Sequence, residues 1–182
     1  WDGYVTSQTV TFSWEPVMRT NSLRLQLATD PNYDSMVLDR QLSANASTYT
    51  HTFAQSYATL YGRVLAISSY GTNEGRIRFH MDTAPPSSAV ASLPATVSNA
   101  AFTVSWSGSD DRSGLRWYQV QVRDGNRAES QWENWYEHTT KTSDTFVGQP
   151  GHTYYFRVRA LDQVGNWEAW PSSDEGDTHT WV

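Results

Sequence analysis

The sequence predicts an all-β protein made of two tandem antiparallel β-sandwiches of seven strands each, joined by a short proline-rich linker. Strand-favouring aromatic residues are frequent, with nine Trp, ten Tyr and six Phe among 182 residues. Apolar and polar residues alternate in short runs between clusters of Gly, Pro, Asn and Asp, a pattern typical of half-buried strands and turns. Because apolar runs with a helical period are missing from the sequence, we expect little or no helix.

An internal repeat predicts the two modules. The repeated blocks, in chain order, are TVTFSW (9–14) with AFTVSW (101–106), LRLQLATD (23–30) with YQVQVRDG (118–125), TYTHTF (48–53) with KTSDTF (141–146), and LYGRVLAISSYGTNE (60–74) with YYFRVRALDQVGNWE (154–168). The separation stays between 92 and 95 residues in all four pairs. A constant offset over separate blocks indicates two copies of one module of about 90 residues.

The segment DTAPPSS (82–88) separates the two copies. Paired prolines favour an extended, semi-rigid connector, so we place the domains at 1–84 and 85–182. The first copy starts only eight residues before its first repeated block. We therefore expect its N-terminal strand to be truncated or to be formed by DGYVTS.

Alternation and turn residues assign the strands and the core. The expected strands are 9–15, 22–29, 35–42, 47–53, 58–68 and 75–82 in the first module, and 88–92, 100–107, 115–124, 131–138, 142–148, 152–162 and 172–181 in the second. The side chains expected to point inward in the second module are Phe102, Val104, Trp106, Tyr118, Val120, Val122, Tyr154, Phe156, Val158 and Ala160. Their first-module counterparts are Val10, Phe12, Trp14, Leu23, Leu25, Leu27, Leu60, Gly62, Val64 and Ala66.

Three motifs of the second copy resemble those of fibronectin type III modules: Trp106 at the end of the second strand, Tyr118-Gln119-Val120 in the third, and PGHTYYFRVRA (150–160) before the sixth. The resemblance implies a tyrosine corner at Tyr154, whose hydroxyl bonds backbone just upstream. The loop DQVGN is similar to one found in bacterial versions of the family. The first copy departs from the pattern at Leu60 and in that loop. The family resemblance implies a non-enzymatic spacer, adhesion or accessory binding module of a bacterial secreted or surface protein.

Composition disfavours several classes of function. A net charge of −6 argues against nucleic-acid binding, which needs a basic face. The sequence has no cysteine, and its five histidines lack metal-ligand spacing. A nucleophile elbow and a phosphate-binding loop are also missing, so we do not expect an enzyme or an organic cofactor. No apolar run reaches the length of a membrane span, and we expect a monomer that is secreted or held at the cell surface.

Two acidic loops form a candidate calcium site. The loop GSDDRSGL (108–115) and the loop DQVGN (162–166) fall at the same end of the predicted sandwich. Oxygen ligands from Asp110, Asp111, Asp162 and Asn166 could converge there, as calcium requires. The alternative is that these residues form turns by bonding their own backbone.

Trp132, Trp135 and Tyr136 in QWENWYEH form a candidate ligand or partner surface. Exposed rings on a sheet can stack on sugars or anchor a protein partner. One face of the strand must pack inward, so the sequence also allows a purely structural role for at least one Trp.

Trp167 and Trp170 are predicted to fold back over Arg157 and Arg159, which point outward on the preceding strand. A guanidinium over an indole is favourable and its stem covers the ring. The arrangement is similar to the W-S-x-W-S ladder of cytokine-receptor fibronectin modules, although the motif here is WEAWPS, and receptor function is not implied.

The sequence thus predicts a spacer and protein-interaction module. The alternatives are a carbohydrate-binding accessory domain of a polysaccharide-acting enzyme and a calcium-rigidified adhesin stalk.

Overall fold

The computed structural model describes residues 2–182, with Asp2 described by its backbone alone. The regular structure among these residues consists of fourteen β-strands without a helix, as the sequence predicts. The chain divides into a first module that ends at Thr83 and a second module, Ala84–Val182. This boundary is one residue from the predicted one.

The first module contains strands β1–β7. They are β1 (Asp2–Val5), β2 (Thr9–Ser13), β3 (Ser22–Ala28), β4 (Met36–Leu42), β5 (Thr48–Thr52), β6 (Leu60–Ser68) and β7 (Gly71–Met81). Five of them form a sheet in the order β1-β7-β6-β3-β4, and β2 pairs with β5 in a second sheet. DGYV does form a strand, but β1 lies parallel to β7, with Val5 opposite Met81. β1 therefore belongs to the larger sheet and does not add a third strand to the β2–β5 pair.

The core of the first module lies between its two sheets. Its fully buried side chains include Leu25, Leu27, Phe53, Leu60 and Phe79. Phe12 is also buried, whereas the predicted core residues Val10, Trp14 and Val64 are only half-buried. The predicted alternation is thus correct, but burial is incomplete around β2 and at Val64 on β6.

The second module contains strands β8–β14. They are β8 (Ser87–Val90), β9 (Ala101–Ser109), β10 (Leu115–Asp124), β11 (Glu133–Thr139), β12 (Ser143–Val147), β13 (Thr153–Asp162) and β14 (Thr178–Trp181). A three-stranded sheet has the order β12-β9-β8, and a four-stranded sheet has the order β11-β10-β13-β14. Every strand pair of this module is antiparallel. The strand predicted at 172–181 is much shorter, because residues 163–177 form turns and bends held by side chains.

Side chains from both sheets of the second module form one core. Its buried members are Val90, Val104, Trp106, Tyr118, Val120, Tyr154, Phe156, Val158, Ala160 and Val182. Phe102 and Val122, predicted to be inside, are partly buried and pack against it. Tyr154 forms the predicted tyrosine corner, since the backbone N–H of Gln149 donates to its hydroxyl at 2.9 Å.

Candidate functional site: an aromatic–arginine ladder

The outer face of the four-stranded sheet in the second module presents two rows of long polar side chains. In the register of β10 and β13, Gln119 lies opposite Arg159 and Gln121 lies opposite Arg157. Alternate residues of a strand point to the same face, so these four side chains share the outer surface. The inner face of the same strands is apolar over its central part, with Val120 and Val158 completely buried.

Aromatic rings and arginines alternate along this face in a continuous stack, the aromatic–arginine ladder. Its members, in spatial order, are Trp167, Arg159, Trp170, Arg157, Trp132, Arg123 and Tyr155. The distances from guanidinium carbon to ring centroid, in that order, are 4.5, 4.6, 4.4, 4.3, 5.3 and 4.4 Å. All are below the limit of about 6 Å for a cation–π contact.

Hydrogen bonds fix the guanidinium groups beneath the rings. Arg157 Nε donates to Gln121 Oε1 at 2.8 Å, and Arg159 Nε donates to Gln119 Oε1 at the same distance. Both glutamine amides then donate to Asn134 Oδ1, at 2.7 Å from Gln121 and 3.0 Å from Gln119. These bonds join β11, β10 and β13, so the ladder rests on a rigid polar layer.

The ladder brings three positive charges close together. Burial lowers the pKa of Arg157, and the neighbouring charges of Arg159 and Arg123 lower it further. Burial also lowers the pKa of Arg159. An arginine stays charged at any physiological pH, so the negative ring faces between the guanidinium groups offset their repulsion.

The structure brings together the four residues of the predicted clasp. Trp167 lies over Arg159, and Trp170 lies between Arg157 and Arg159. Trp167 is the more open of the two rings, with 36% of the residue exposed. The sequence reasoning missed Arg123 and Tyr155, which extend the ladder at its far end.

The structure places the three candidate ligand-binding aromatics in different environments. Trp132 is part of the ladder, stacked between Arg157 and Arg123. Trp135 points to the core, with its ring 5.8 Å from Trp106. Tyr136 donates a short hydrogen bond from its hydroxyl to Asp144. The three rings are half-buried and do not form one flat exposed platform.

Two carboxylates that the sequence reasoning missed hold the segment 163–177 against the sandwich. Glu168 accepts hydrogen bonds from the backbone N–H groups of Ser88 at 2.8 Å and Ala160 at 3.0 Å. Asp177 accepts from Val158 N at 2.9 Å and from Val90 N at 3.3 Å. Burial raises the pKa of Asp177. Each carboxylate thus bridges β8 and β13, which belong to different sheets.

The candidate calcium ligands lie in two neighbouring loops. Gln163 N donates to Gly114 O at 2.9 Å, so the loops are in contact. One oxygen of Asp110 accepts from the backbone N–H groups of Arg112 and Gly114. Asp162 binds its own loop in the same way, and Asn166 donates to its second oxygen at 2.7 Å.

These bonds are those of turn-forming side chains, and Asp111 is exposed beside Arg112. Calcium binding by the four residues stays a prediction. A melting temperature that rises with calcium and falls with chelator would support it.

The first module contains a shorter version of the ladder. Arg63 lies over the ring of Tyr33 at 3.9 Å, and its Nε donates to Gln26 Oε1 at 2.7 Å. Gln26 and Arg63 correspond to Gln121 and Arg157 in the internal repeat. Both modules therefore use a glutamine on one strand to hold an arginine under an aromatic ring.

Comparisons with known proteins agree with this architecture. No protein-family model matches the chain. No curated protein matches it in sequence. Many solved structures are similar in fold.

Among them, domains A168–A170 of titin are 14% identical with a TM-score of 0.52, and the match covers 90% of this chain and 56% of that one. The FN1–FN3 domains of chicken CNTN1 are 16% identical with a TM-score of 0.41, and the match covers 91% and 58% of the two chains.

The chain spans a little over half the length of these two structures. At such low identity, the likeness to titin domains shows the fold alone. The protein is an all-β protein of the immunoglobulin-like sandwich class. Within that class, its fold is a tandem of fibronectin type III-like modules, with three and four strands in the two sheets of the second module. The described residues contain no helix able to cross a membrane.

Proposed function

We propose that this chain is a non-catalytic spacer and protein-interaction module of a larger protein that is secreted or displayed at the cell surface. The observation that carries the proposal is the ladder, because the protein's own arginines lie over the rings of Trp132, Trp167 and Trp170. The ladder also ties the segment 163–177 to the outer face of its sheet. A module built in this way is suited to keeping its shape in a chain of modules.

The resemblance of the DQVGN loop to bacterial fibronectin type III modules supports a bacterial secreted or surface protein as the parent. The net charge of −6 and the lack of cysteine are compatible with that setting. Tandem modules of this fold in the solved structures support a modular role for this chain as well.

Carbohydrate binding is the function from another class that can be tested directly. We expect a panel of soluble polysaccharides to leave the melting temperature of the chain unchanged, because Trp132 has an arginine on its ring. The matched variant is Trp132→Ala, which should lower the melting temperature without changing any response to glycans. Saturable glycan binding by the wild-type chain that Trp132→Ala abolishes would replace the spacer proposal with a carbohydrate-binding one.

A further inference from the structure

The first module contains an apolar cleft between its two sheets. The cleft has a volume of about 410 Å³. Side chains of Val10 on β2 and of Trp14, the residue after β2, face Val64, Ile77 and Phe79 on the larger sheet across it. Val10, Trp14, Val64 and Ile77 are only half-buried, so the sandwich is incompletely filled here.

One edge of β2 borders this cleft and lacks a neighbouring strand. Within residues 2–182, β2 pairs with β5 alone. Trp14 N donates to Ser47 O at 3.0 Å and Phe53 N donates to Gln8 O at 2.8 Å, so the even-numbered residues of β2 turn their backbone groups toward β5. Backbone groups of successive residues in an antiparallel pair point to opposite sides of the strand. The N–H and C=O groups of Thr11 and Ser13 therefore point to the open edge. Both residues are exposed.

The second module shows what fills the corresponding position. There β8 pairs with β9 on the edge away from β12, and Val90 lies opposite Trp106. Val90 is 5% exposed and belongs to the core, and Trp106 is 2% exposed beneath it. The backbone bond from Ala91 N to Ser105 O, at 2.8 Å, continues the pairing.

The repeat relates Ser105 and Trp106 to Ser13 and Trp14, both separated by 92 residues. Residues 2–83 of the first module therefore supply the acceptor edge and the tryptophan of this arrangement, and none of the strands described among them covers that edge. An unpaired edge beside an apolar cleft is a site at which an extended peptide can add to a sheet.

We propose that β2 and the adjoining cleft accept an extended segment of a partner polypeptide, added antiparallel to β2, with a β-branched apolar side chain inserted beside Trp14. This acceptor site deepens the protein-interaction role proposed above and rests on it. The partner segment has the chemistry of β8, Ser87–Val90: uncharged, small at its polar positions and apolar at the inserted one.

The charges around the cleft favour an uncharged segment. Arg76 and Arg63 line the cleft, and Glu74 pairs with them at 2.7 and 3.7 Å. Glu74 thus offsets one of the two arginine charges, the remaining positive charge disfavours a basic peptide, and the apolar lining disfavours a charged side chain at the inserted position. A second copy of this chain is a poor donor, because its own β8 is already paired with β9.

Calorimetric titration of the 182-residue chain with a synthetic peptide of the sequence PSSAVASL, residues 86–93, tests the proposal. A second peptide carries the equivalent of Val90→Asp. We expect saturable binding of the first peptide and at least tenfold weaker binding of the second, because a carboxylate in an apolar cleft is strongly disfavoured.

Gly75→Phe provides a variant that blocks the cleft without breaking the module. Gly75 lines the cleft, and a Cβ there meets no atom within 4 Å. The matched control is Thr72→Phe, an exposed position on the same strand outside the cleft. Gly75→Phe should leave the melting temperature unchanged or raise it, and should weaken binding of the peptide at least tenfold. Thr72→Phe should bind the peptide as tightly as wild type.

Three outcomes would overturn the proposal: no binding at millimolar peptide, binding that Gly75→Phe leaves unchanged, or a concentration-dependent dimer that Gly75→Phe dissociates. Such a dimer would show that a second copy of this chain, rather than a partner polypeptide, occupies the cleft. A failed peptide titration together with a negative glycan panel would leave the spacer proposal standing, so the two failures are distinguishable.

Discussion

Arg157 is the residue on which most of the ladder depends. Its guanidinium lies between the rings of Trp132 and Trp170, and its Nε binds Gln121. A planar, delocalised cation can stack on two rings at once and still donate in its plane, whereas an ammonium group cannot. The requirement at this position is therefore for arginine rather than for positive charge alone.

Arg157→Lys tests that requirement. The variant keeps the charge and most of the apolar stem but loses the planar stack and the fixed bond to Gln121. We expect it to lower the free energy of unfolding of the second module by about 1–3 kcal/mol. Urea denaturation followed by tryptophan fluorescence measures the change. Arg127→Lys, at a surface ion pair with Glu133, is the matched control and should change stability by less than about 0.5 kcal/mol. Equal effects of the two substitutions would contradict the role of stacking.

At the scale of elements, side chains take the place of a strand along part of β13. Residues 163–177 are not a regular strand, yet the N–H groups of Val158 and Ala160 find acceptors in Asp177 and Glu168. The same carboxylates hold β8, so one pair of side chains closes the sheet edge and joins the two sheets. This explains why β14 begins six residues later than the sequence predicts.

Glu168→Gln should show how much this bridge stabilises the module. The groups that bond the Glu168 carboxylate oxygens are Ser88 N, the Ser88 hydroxyl and Ala160 N, all of them donors. A glutamine amide would turn its own donor toward one of these, which leaves buried groups unsatisfied and costs about 2 kcal/mol. Chemical denaturation is the measurement, with Glu137→Gln on the exposed side of β11 as control. A loss equal to that of the control would contradict the bridging role.

The connection between β11 and β12, which belong to different sheets, carries the clearest pH dependence of stability. Lys141 and the Tyr136 hydroxyl bind Asp144 and lower its pKa from 3.8 to about 2. Since the folded-state pKa is below the unfolded value, ionised Asp144 stabilises the fold above about pH 4. That contribution is lost as the pH falls toward 2.

We expect Asp144→Asn to flatten the decline of the urea midpoint between pH 4 and pH 2, relative to wild type. Asp174→Asn, at an exposed carboxylate, serves as the control and should follow the wild-type curve. Parallel curves for wild type and Asp144→Asn would show that this ion pair does not contribute.

For the whole molecule, two separate cores predict two separate unfolding events. Each module has its own buried cluster, centred on Phe53 and Phe79 in the first and on Phe156 and Val158 in the second. We expect scanning calorimetry to resolve two transitions. Arg157→Met should lower only one of them, and Arg63→Met should lower only the other. If either substitution shifts both transitions equally, the modules do not unfold separately.

The sequence predicts much of this architecture because alternation and repeat spacing are local signals. Tyr154, Trp106 and the stacking of Trp167 and Trp170 on β13 follow from those signals and from a family resemblance. Trp132 and Arg123 could not be assigned to the ladder, because their contacts depend on the registers of β10 with β11 and with β13. No sequence pattern indicates the role of Asp177, because its carboxylate reaches Val158 N only through the turn that precedes β14. The repeat does point to Gln26 and Gln121, which a search for matching polar residues could have found.

The place of the ladder in the chain also has a mechanical consequence. A pulling force applied at Val182 acts first on β14, four residues long, whose partners are β13 and the segment around Thr96. Once β14 has detached, the same force reaches Asp177, Trp170, Glu168 and Trp167 in turn. The stacked rings and bridging carboxylates then form a second barrier that limits further unravelling. We therefore expect a module of this kind to lose its last strand and Val182 under load while the core residues of β9, β10 and β13 stay packed.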